Sequence, residues 1–310
     1  MKNLPKIAMG AWAWGDTDGY FGNTMTGEEF RPIFEAAVNA GLNLWDTATA
    51  YSNGESEKIL GKLVNNAGRE KIIVSTKFTP QMAGMYGDSV VKMCEASLER
   101  MNMEYFDIYW IHNPIGAPEY TKQLIPLLQS GKVKSVGVSN HNLAQIKEAD
   151  EILKAAGFRI SAVQNHYSLL NRSSEESGIL DYCKANDIVF YGYMTLEQGA
   201  LSGKYDAEHL FPEGSARAKV FNPMMKQIEV ITAELKKVAE AHGVSAAQIA
   251  TAYSVNKGVL PILGVTKMYQ VEEAVKTADI VLTAEEVASL EEAADKSGVS
   301  SIQFWESKME

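Results

Sequence analysis

The stretch WDTATAYSNGESE, residues 45–57, sets a carboxylate, Asp46, and a phenol, Tyr51, five residues apart at the end of an apolar run. Two further apolar runs end on groups that could work with them: KIIVSTK ends on Lys77 and FDIYWIH on His112. A lysine closing an apolar strand is costly to bury unless it is paired. A free phenol, with a pKa of about 10, is a poor acid at neutral pH, but a nearby ammonium favours its phenolate and lowers that value. A carboxylate beside the lysine keeps the cation in place, and a histidine across the pocket can hydrogen-bond a substrate oxygen. Asp46, Tyr51, Lys77 and His112 therefore make a coherent acid site. It suits donation of a proton to an oxygen that is gaining negative charge, as in carbonyl reduction.

A phenol cannot deliver hydride, so such a reaction needs a cofactor. Ser139 and Asn140 end a fifth run and Gln164 lies near the end of a sixth; these groups suit the carboxamide of a nicotinamide. Tyr193, ending a seventh, could stack on its ring. Singly, each residue has a plainer reading. Asp46 could cap a helix, His112 could be a satisfied core histidine, the tyrosines could be packing, and the amides could serve strand-end backbone groups. Jointly they share one address, and that repeated placement is the strongest signal in the chain.

The elements that must hold these residues alternate along the sequence. Strand-like runs are KIAMGAW, GLNLWDTA, KIIVSTK, FDIYWIH, VKSVGVSN, ISAVQNHY, DIVFYGYM and VLPILGVT. Most are nearly continuously apolar, as expected for parallel strands covered on both faces. Amphipathic stretches lie between them, including TGEEFRPIFEAAVNAG and DSVVKMCEASLERM, the latter with Asp88 as the expected N-cap. EYTKQLIPLLQSGK carries Pro126, which should kink or shorten its helix. Eight strand–helix units point to an α/β fold, a (β/α)8 TIM barrel forming a single domain over 1–310 with helices at the C-terminus. An open doubly wound sheet would usually carry a glycine-rich phosphate turn after its first strand, and MGAWAWG is not one. The polar stretch at about 206–222 reads as an inserted active-site loop.

The 310-residue chain carries 29 basic and 39 acidic residues, a net charge of −10, which argues against nucleic-acid or anionic-membrane partners. An anionic ligand would need helix N-termini or a few lysines. Two cysteines, Cys94 and Cys183, do not make a disulfide framework and suggest a reducing, cytoplasmic setting. No apolar run has the length of a membrane span, and the N-terminus lacks a signal-peptide core. The five histidines lack metal-ligand spacing, so no metal is expected.

The motifs WDTATAYSNGESEKILG, VSTK, DIYWIHNP, GKVKSVGVSN, QNHY, GALSGKY and LGVTKMYQVEEA, in this order, resemble the aldo-keto reductase family over essentially the whole chain. The resemblance implies Tyr51 as general acid with Lys77, Asp46 and His112 as partners. It implies nicotinamide contacts from Ser139, Asn140 and Gln164, with Tyr193 beneath the ring. Leu196, Gln198 and Lys204 would lie along the pyrophosphate. The segment after the eighth strand, with Gly264, Thr266, Lys267, Gln270 and Glu273, would hold the adenosine end. Family members generally prefer NADPH. Here Gln270 stands where an arginine often grips the 2′-phosphate and Ala274 where an asparagine often holds adenine, so NADH use stays open; Lys267 remains as a point charge. Asn113 replaces a frequent tryptophan, and Met194-Thr195 a frequent Ser-Pro. Trp12, Trp14 and Asn113 are the expected substrate-pocket residues, with Tyr20, Trp110, Met82 and Trp305 as further aromatic or apolar candidates. Such a mouth suggests a fairly apolar aldehyde or ketone. Two other readings compete: a Schiff-base lyase using Lys77, and a non-catalytic nicotinamide-binding regulatory subunit.

Overall fold

All eight apolar runs form strands in a computed structural model, which describes residues 4–17, 19–22, 24–303, 306 and 309. The strands are β1 (Ala8–Gly10), β2 (Leu44–Asp46), β3 (Ile73–Phe78), β4 (Phe106–Ile111), β5 (Val133–Ser139), β6 (Ala162–His166), β7 (Val189–Tyr193) and β8 (Leu260–Gly264). They pair in parallel in sequence order, and β8 pairs β1 to close the barrel. The expected TIM barrel is thus the observed fold. Helices cover its outside, which explains why the strands read as apolar on both faces.

Alternation along each strand sorts its residues. On β3, Thr76 turns outward and donates to Glu57 Oε1 at 2.6 Å, whereas Ser75 and Lys77 turn inward. The barrel interior is filled by Ala8, Leu44, Ile108, Trp110, Ala162, Tyr191 and Leu260. Trp110 belongs to this plug and not to a substrate pocket. Its indole N–H donates to Ser75 Oγ at 2.5 Å. Room for the indole comes from Gly137 on β5, where a Cβ would lie 2.4 Å from the Trp110 ring and 2.7 Å from the Ala162 carbonyl oxygen. Neither neighbour can yield, so Gly137→Ala should cost about 1–3 kcal/mol by overpacking. Chemical denaturation should show an unchanged slope and a lowered midpoint; an unchanged midpoint would contradict this packing.

Local differences from expectation have local causes. The helix Val90–Met101 is capped by Ser89, whose Oγ accepts from Lys92 N at 3.2 Å, and not by Asp88, which sits in the left-handed region at φ 53°. The stretch around Pro126 forms two short helices, Ala117–Lys122 and Leu124–Gln129. Pro126 lacks the N–H that would bond the Lys122 carbonyl, so the first helix has no continuation. Residues 206–222 contain a short helix, Ala216–Phe221. Cys94 and Cys183 are free and buried. Among the described residues no helix is long and apolar enough to cross a membrane, and no group of three or more His, Cys, Asp or Glu could hold a metal ion.

Candidate active site

The C-terminal ends of β2, β3 and β4 bring the acid cluster together. In register, Asp46 lies opposite Ser75 and Lys77 opposite Trp110. Lys77 Nζ donates to Asp46 Oδ2 at 2.5 Å and to the Thr47 carbonyl at 2.8 Å, and it lies 3.2 Å from the Tyr51 hydroxyl. Asp46 Oδ1 accepts from Ser75 Oγ at 2.7 Å and from Gln164 Nε2 at 3.3 Å. The His112 ring meets Tyr51 edge-on, with centroids 5.9 Å apart, and its Nδ1 is 3.2 Å from Thr79 Oγ1. After Tyr51 the backbone reverses within three residues. Ser52, Asn53 and Gly54 all take positive φ (48°, 52° and 88°), turning the chain sharply into the helix Glu55–Ala67. Two non-glycine residues held there represent local strain of about 1–2 kcal/mol each, accepted beside the phenol. At Gly54 a Cβ would collide with Arg100 Nε at 2.7 Å.

The electrostatics correct one expectation. Lys77 does act to lower the Tyr51 pKa, but burial acts more strongly and Asp46 opposes it too, so the phenol sits above its ordinary value. It is therefore fully protonated at neutral pH. Burial would lower Lys77, yet Asp46 and Tyr51 outweigh it and hold the ammonium above its usual range. His112 is pushed well below its ordinary value by burial and then by Lys77, so its imidazole is neutral.

The cluster opens on a cleft of about 890 Å³. Tyr51, His112 and Asp46 line it; Lys77 does not. Ser139, Asn140, Gln164 and Tyr193 line it as well, brought to one rim by β5, β6 and β7. Asn140 Nδ2 donates to the His112 carbonyl at 2.9 Å, and Asn140 itself lies at φ 62°. Leu196, Gln198, Lys204, Gly264, Thr266, Lys267, Gln270 and Glu273 all continue along this cleft. Gly264 has open space where a Cβ would be. Gln270 is not a simple stand-in for an arginine: its Oε1 accepts from the backbone N–H of Thr266 and Lys267 at 2.8 and 2.9 Å, capping the helix Met268–Thr277. Ala274 also lines the cleft.

The substrate end differs more from expectation. Trp12 and Asn113 line the cleft. Trp12 stacks between Tyr51 and Tyr20 at 5.7 and 5.3 Å, and Asn113 Nδ2 donates to Gln81 Oε1 at 2.7 Å. Trp14 does not reach the cleft. It is buried against Phe30 at 4.5 Å, with its N–H satisfied by the Val265 carbonyl at 2.8 Å, and so belongs to the outer core. Tyr20 reaches across to Gln198 instead of lining the pocket, Met82 packs on the core, and Trp305 lies outside the described residues. Sequence reading missed Phe21, Met25, Thr79 and Gln81 on this wall, and Arg217 at the other end. Arg217 carried a signal, as a cation within the polar stretch at 206–222.

A closed (β/α)8 barrel with a phenol, an ammonium and a carboxylate at the C-terminal end of its strands, on a long cleft, is the frame of a barrel enzyme. The Aldo/keto reductase family profile matches residues 6–295, and the chain belongs to that family of oxidoreductases. It is 30% identical to the chloroplastic pyridoxal reductase of Arabidopsis thaliana, over 97% of this chain and 86% of the relative. It is 32% identical to an aldo-keto reductase of Alternaria alternata, over 82% of this chain and 79% of the relative. Among solved structures, the glycerol dehydrogenase of Gluconobacter oxydans superposes with a TM-score of 0.81 at 26% identity, covering 96% of this chain and 94% of that one. An aldo/keto reductase of Klebsiella pneumoniae, solved with NADP and acetate, shares the fold at a TM-score of 0.74 and 23% identity, covering 99% and 95%.

Proposed function

We propose that this chain is an NADPH-dependent carbonyl reductase in which Tyr51 protonates the oxygen of an aldehyde or ketone. The observation that carries this reading is the Tyr51 hydroxyl, 3.2 Å from the Lys77 ammonium, on the same rim as Ser139, Asn140, Gln164 and Tyr193. A reduced nicotinamide would supply the hydride to the carbonyl carbon. Tyr51 holds the proton at its hydroxyl and passes it to the carbonyl oxygen as charge develops there. Lys77 stabilises the phenolate left behind, and Asp46 keeps Lys77 charged and aimed. His112, whose Nδ1 lies 3.2 Å from the Thr79 hydroxyl, would in the tautomer that accepts from Thr79 carry its proton on Nε2, toward the substrate oxygen. Ser139, Asn140 and Gln164 orient a carboxamide, and the Tyr193 ring supports the nicotinamide face.

A fit for the dinucleotide rests on the polar trio, the aromatic face of Tyr193, the open Cβ direction of Gly264 and three cations along the far arm, Lys204, Arg217 and Lys267. In a chain of net charge −10 those cations are the local attraction an anionic cofactor needs. They favour NADPH over NADH although Gln270 is engaged with the backbone. Lys77 is ill suited to the lyase reading. An imine needs a neutral amine open to substrate, and Lys77 is buried, ion-paired and held protonated. Trp12, Phe21 and Met25 suit a fairly apolar carbonyl compound. The two unpaired thiols fit a reducing compartment such as the cytoplasm.

The test is fluorescence titration with NADPH and NADH, followed by NADPH oxidation with a panel of aldehydes and ketones. Tighter binding of NADPH and turnover of apolar carbonyls are expected. Since burial holds His112 well below and Tyr51 above their ordinary values, kcat/KM should be level across neutral pH. A limb centred near neutrality would assign the proton to another group, and no binding of either dinucleotide would end the proposal.

A further inference from the structure

Behind Tyr193 lies a buried charged chain that the proposed reaction does not use. The Tyr193 hydroxyl is 2.5 Å from Glu306 Oε1. The other oxygen, Glu306 Oε2, accepts from His166 Nδ1 at 2.9 Å and from Gln303 N at 3.1 Å. His166 Nε2 lies 2.8 Å from Glu197 Oε1, which also accepts from Ser168 Oγ and, at 2.8 Å, from Ser301 Oγ. The side chains of His166, Glu197 and Glu306 are 2%, 0% and 2% exposed. Burial alone would lower the His166 pKa, but the two carboxylates raise it to about 10, so an imidazolium can serve both. Its ring also lies nearly parallel to that of Tyr193, with centroids 5.5 Å apart.

Tying down the C-terminal segment would account for a hydrogen bond from Glu306, but it does not require a carboxylate there, and burying one is costly. The phenol supplies the better reason. Tyr193 has one hydroxyl proton and, among the described residues, two acceptors share it, Glu306 Oε1 and, at 2.6 Å, Asn140 Oδ1. The Asn140 amide cannot turn to relieve this, because its Nδ2 donates to the His112 carbonyl and to Ser139 Oγ at 2.9 and 3.2 Å. A charged acceptor outbids a neutral one for a shared proton.

We infer that Glu306 is a positioning residue for the nicotinamide: it takes the Tyr193 phenol proton, which fixes that ring in the cleft and leaves Asn140 Oδ1 as the acceptor for a carboxamide N–H. This rests on the dinucleotide reading above. His166 holds the carboxylate in place, and Glu197 holds His166.

The experiment measures dissociation constants for NADPH and for 2′-phospho-ADP-ribose, which lacks the nicotinamide. Both are taken on the wild-type chain, Glu306→Gln, Tyr193→Phe and the double variant, with circular dichroism to check folding. Glu306→Gln should weaken NADPH by about tenfold, the scale of exchanging a charged acceptor for a neutral one, and leave 2′-phospho-ADP-ribose unchanged. On the Tyr193→Phe background the same change should have no further effect. Equal weakening of both ligands, full additivity with Tyr193→Phe, or unchanged NADPH affinity would each overturn the inference. Should Glu306→Gln fail to fold, Tyr193→Phe carries the test from the other end of the bond: selective weakening of NADPH supports it, and unchanged NADPH affinity overturns it. A wild-type chain that binds 2′-phospho-ADP-ribose and NADPH tells the two proposals apart, since only the variants then bear on Glu306. One that binds neither removes the dinucleotide reading and this inference with it.

Discussion

Tyr51→Phe should lower kcat by about 10²–10⁴-fold, the range for loss of a positioned general acid, with NADPH affinity within about twofold of wild type. The ring that stacks on Trp12 at 5.7 Å is retained, so the wall of the cleft keeps its shape. What is lost is the hydroxyl 3.2 Å from Lys77, the proposed proton donor. Single-turnover measurement of NADPH oxidation with an apolar aldehyde separates the chemical step from binding. A phenylalanine variant turning over at the wild-type rate would remove Tyr51 from the chemistry.

Lys77→Met should damage both activity and stability. Asp46 would keep Ser75 and Gln164 as donors but lose the ammonium it is paired with. Breaking one half of a buried pair costs about 3–5 kcal/mol, because an uncompensated charge is left behind. Without the ammonium the phenolate would go unstabilised, and kcat should fall by at least about 10²-fold. Adding Asp46→Asn to Lys77→Met should restore much of the stability, since the stranded carboxylate is gone, while activity stays lost. Thermal melts and turnover on the single and double variants check this. Recovery of turnover in the double variant would show that the pair serves folding alone.

The barrel was legible because its strands are covered on both faces, so each reads as an apolar run with a polar end. Asp46, Lys77, His112, Ser139, Asn140, Gln164 and Tyr193 stood out as the polar residues at or near those ends, and the barrel collects them at one end. Tryptophans were harder to assign. Trp12 and Trp14 are two residues apart, yet one lines the cleft and the other fills the outer core, a distinction set by the loop after β1. Trp110 turned inward because Gly137, on the neighbouring strand, leaves it space. Gln270 looked like a lost phosphate ligand, whereas in the fold its oxygen is taken up by two backbone N–H groups. The sign of the Tyr51 shift was missed since burial, which outweighs Lys77, cannot be weighed from neighbours in sequence. Glu306 gave no signal, being 140 residues from the histidine it holds.

The two cysteines carry a consequence for an enzyme that handles electrophiles. Aldehydes add reversibly to thiolates, and a reactive thiol at the mouth would be blocked by the very compounds it admits. Cys94 and Cys183 are the chain's whole complement of sulfhydryls, and neither lines the cleft. Burial pushes the Cys94 thiol far up and Cys183 up to about 12, so both stay in the unreactive protonated form. The folded chain thereby presents no thiolate to the compounds that enter its cleft, because its two small sulfur side chains are kept in the core.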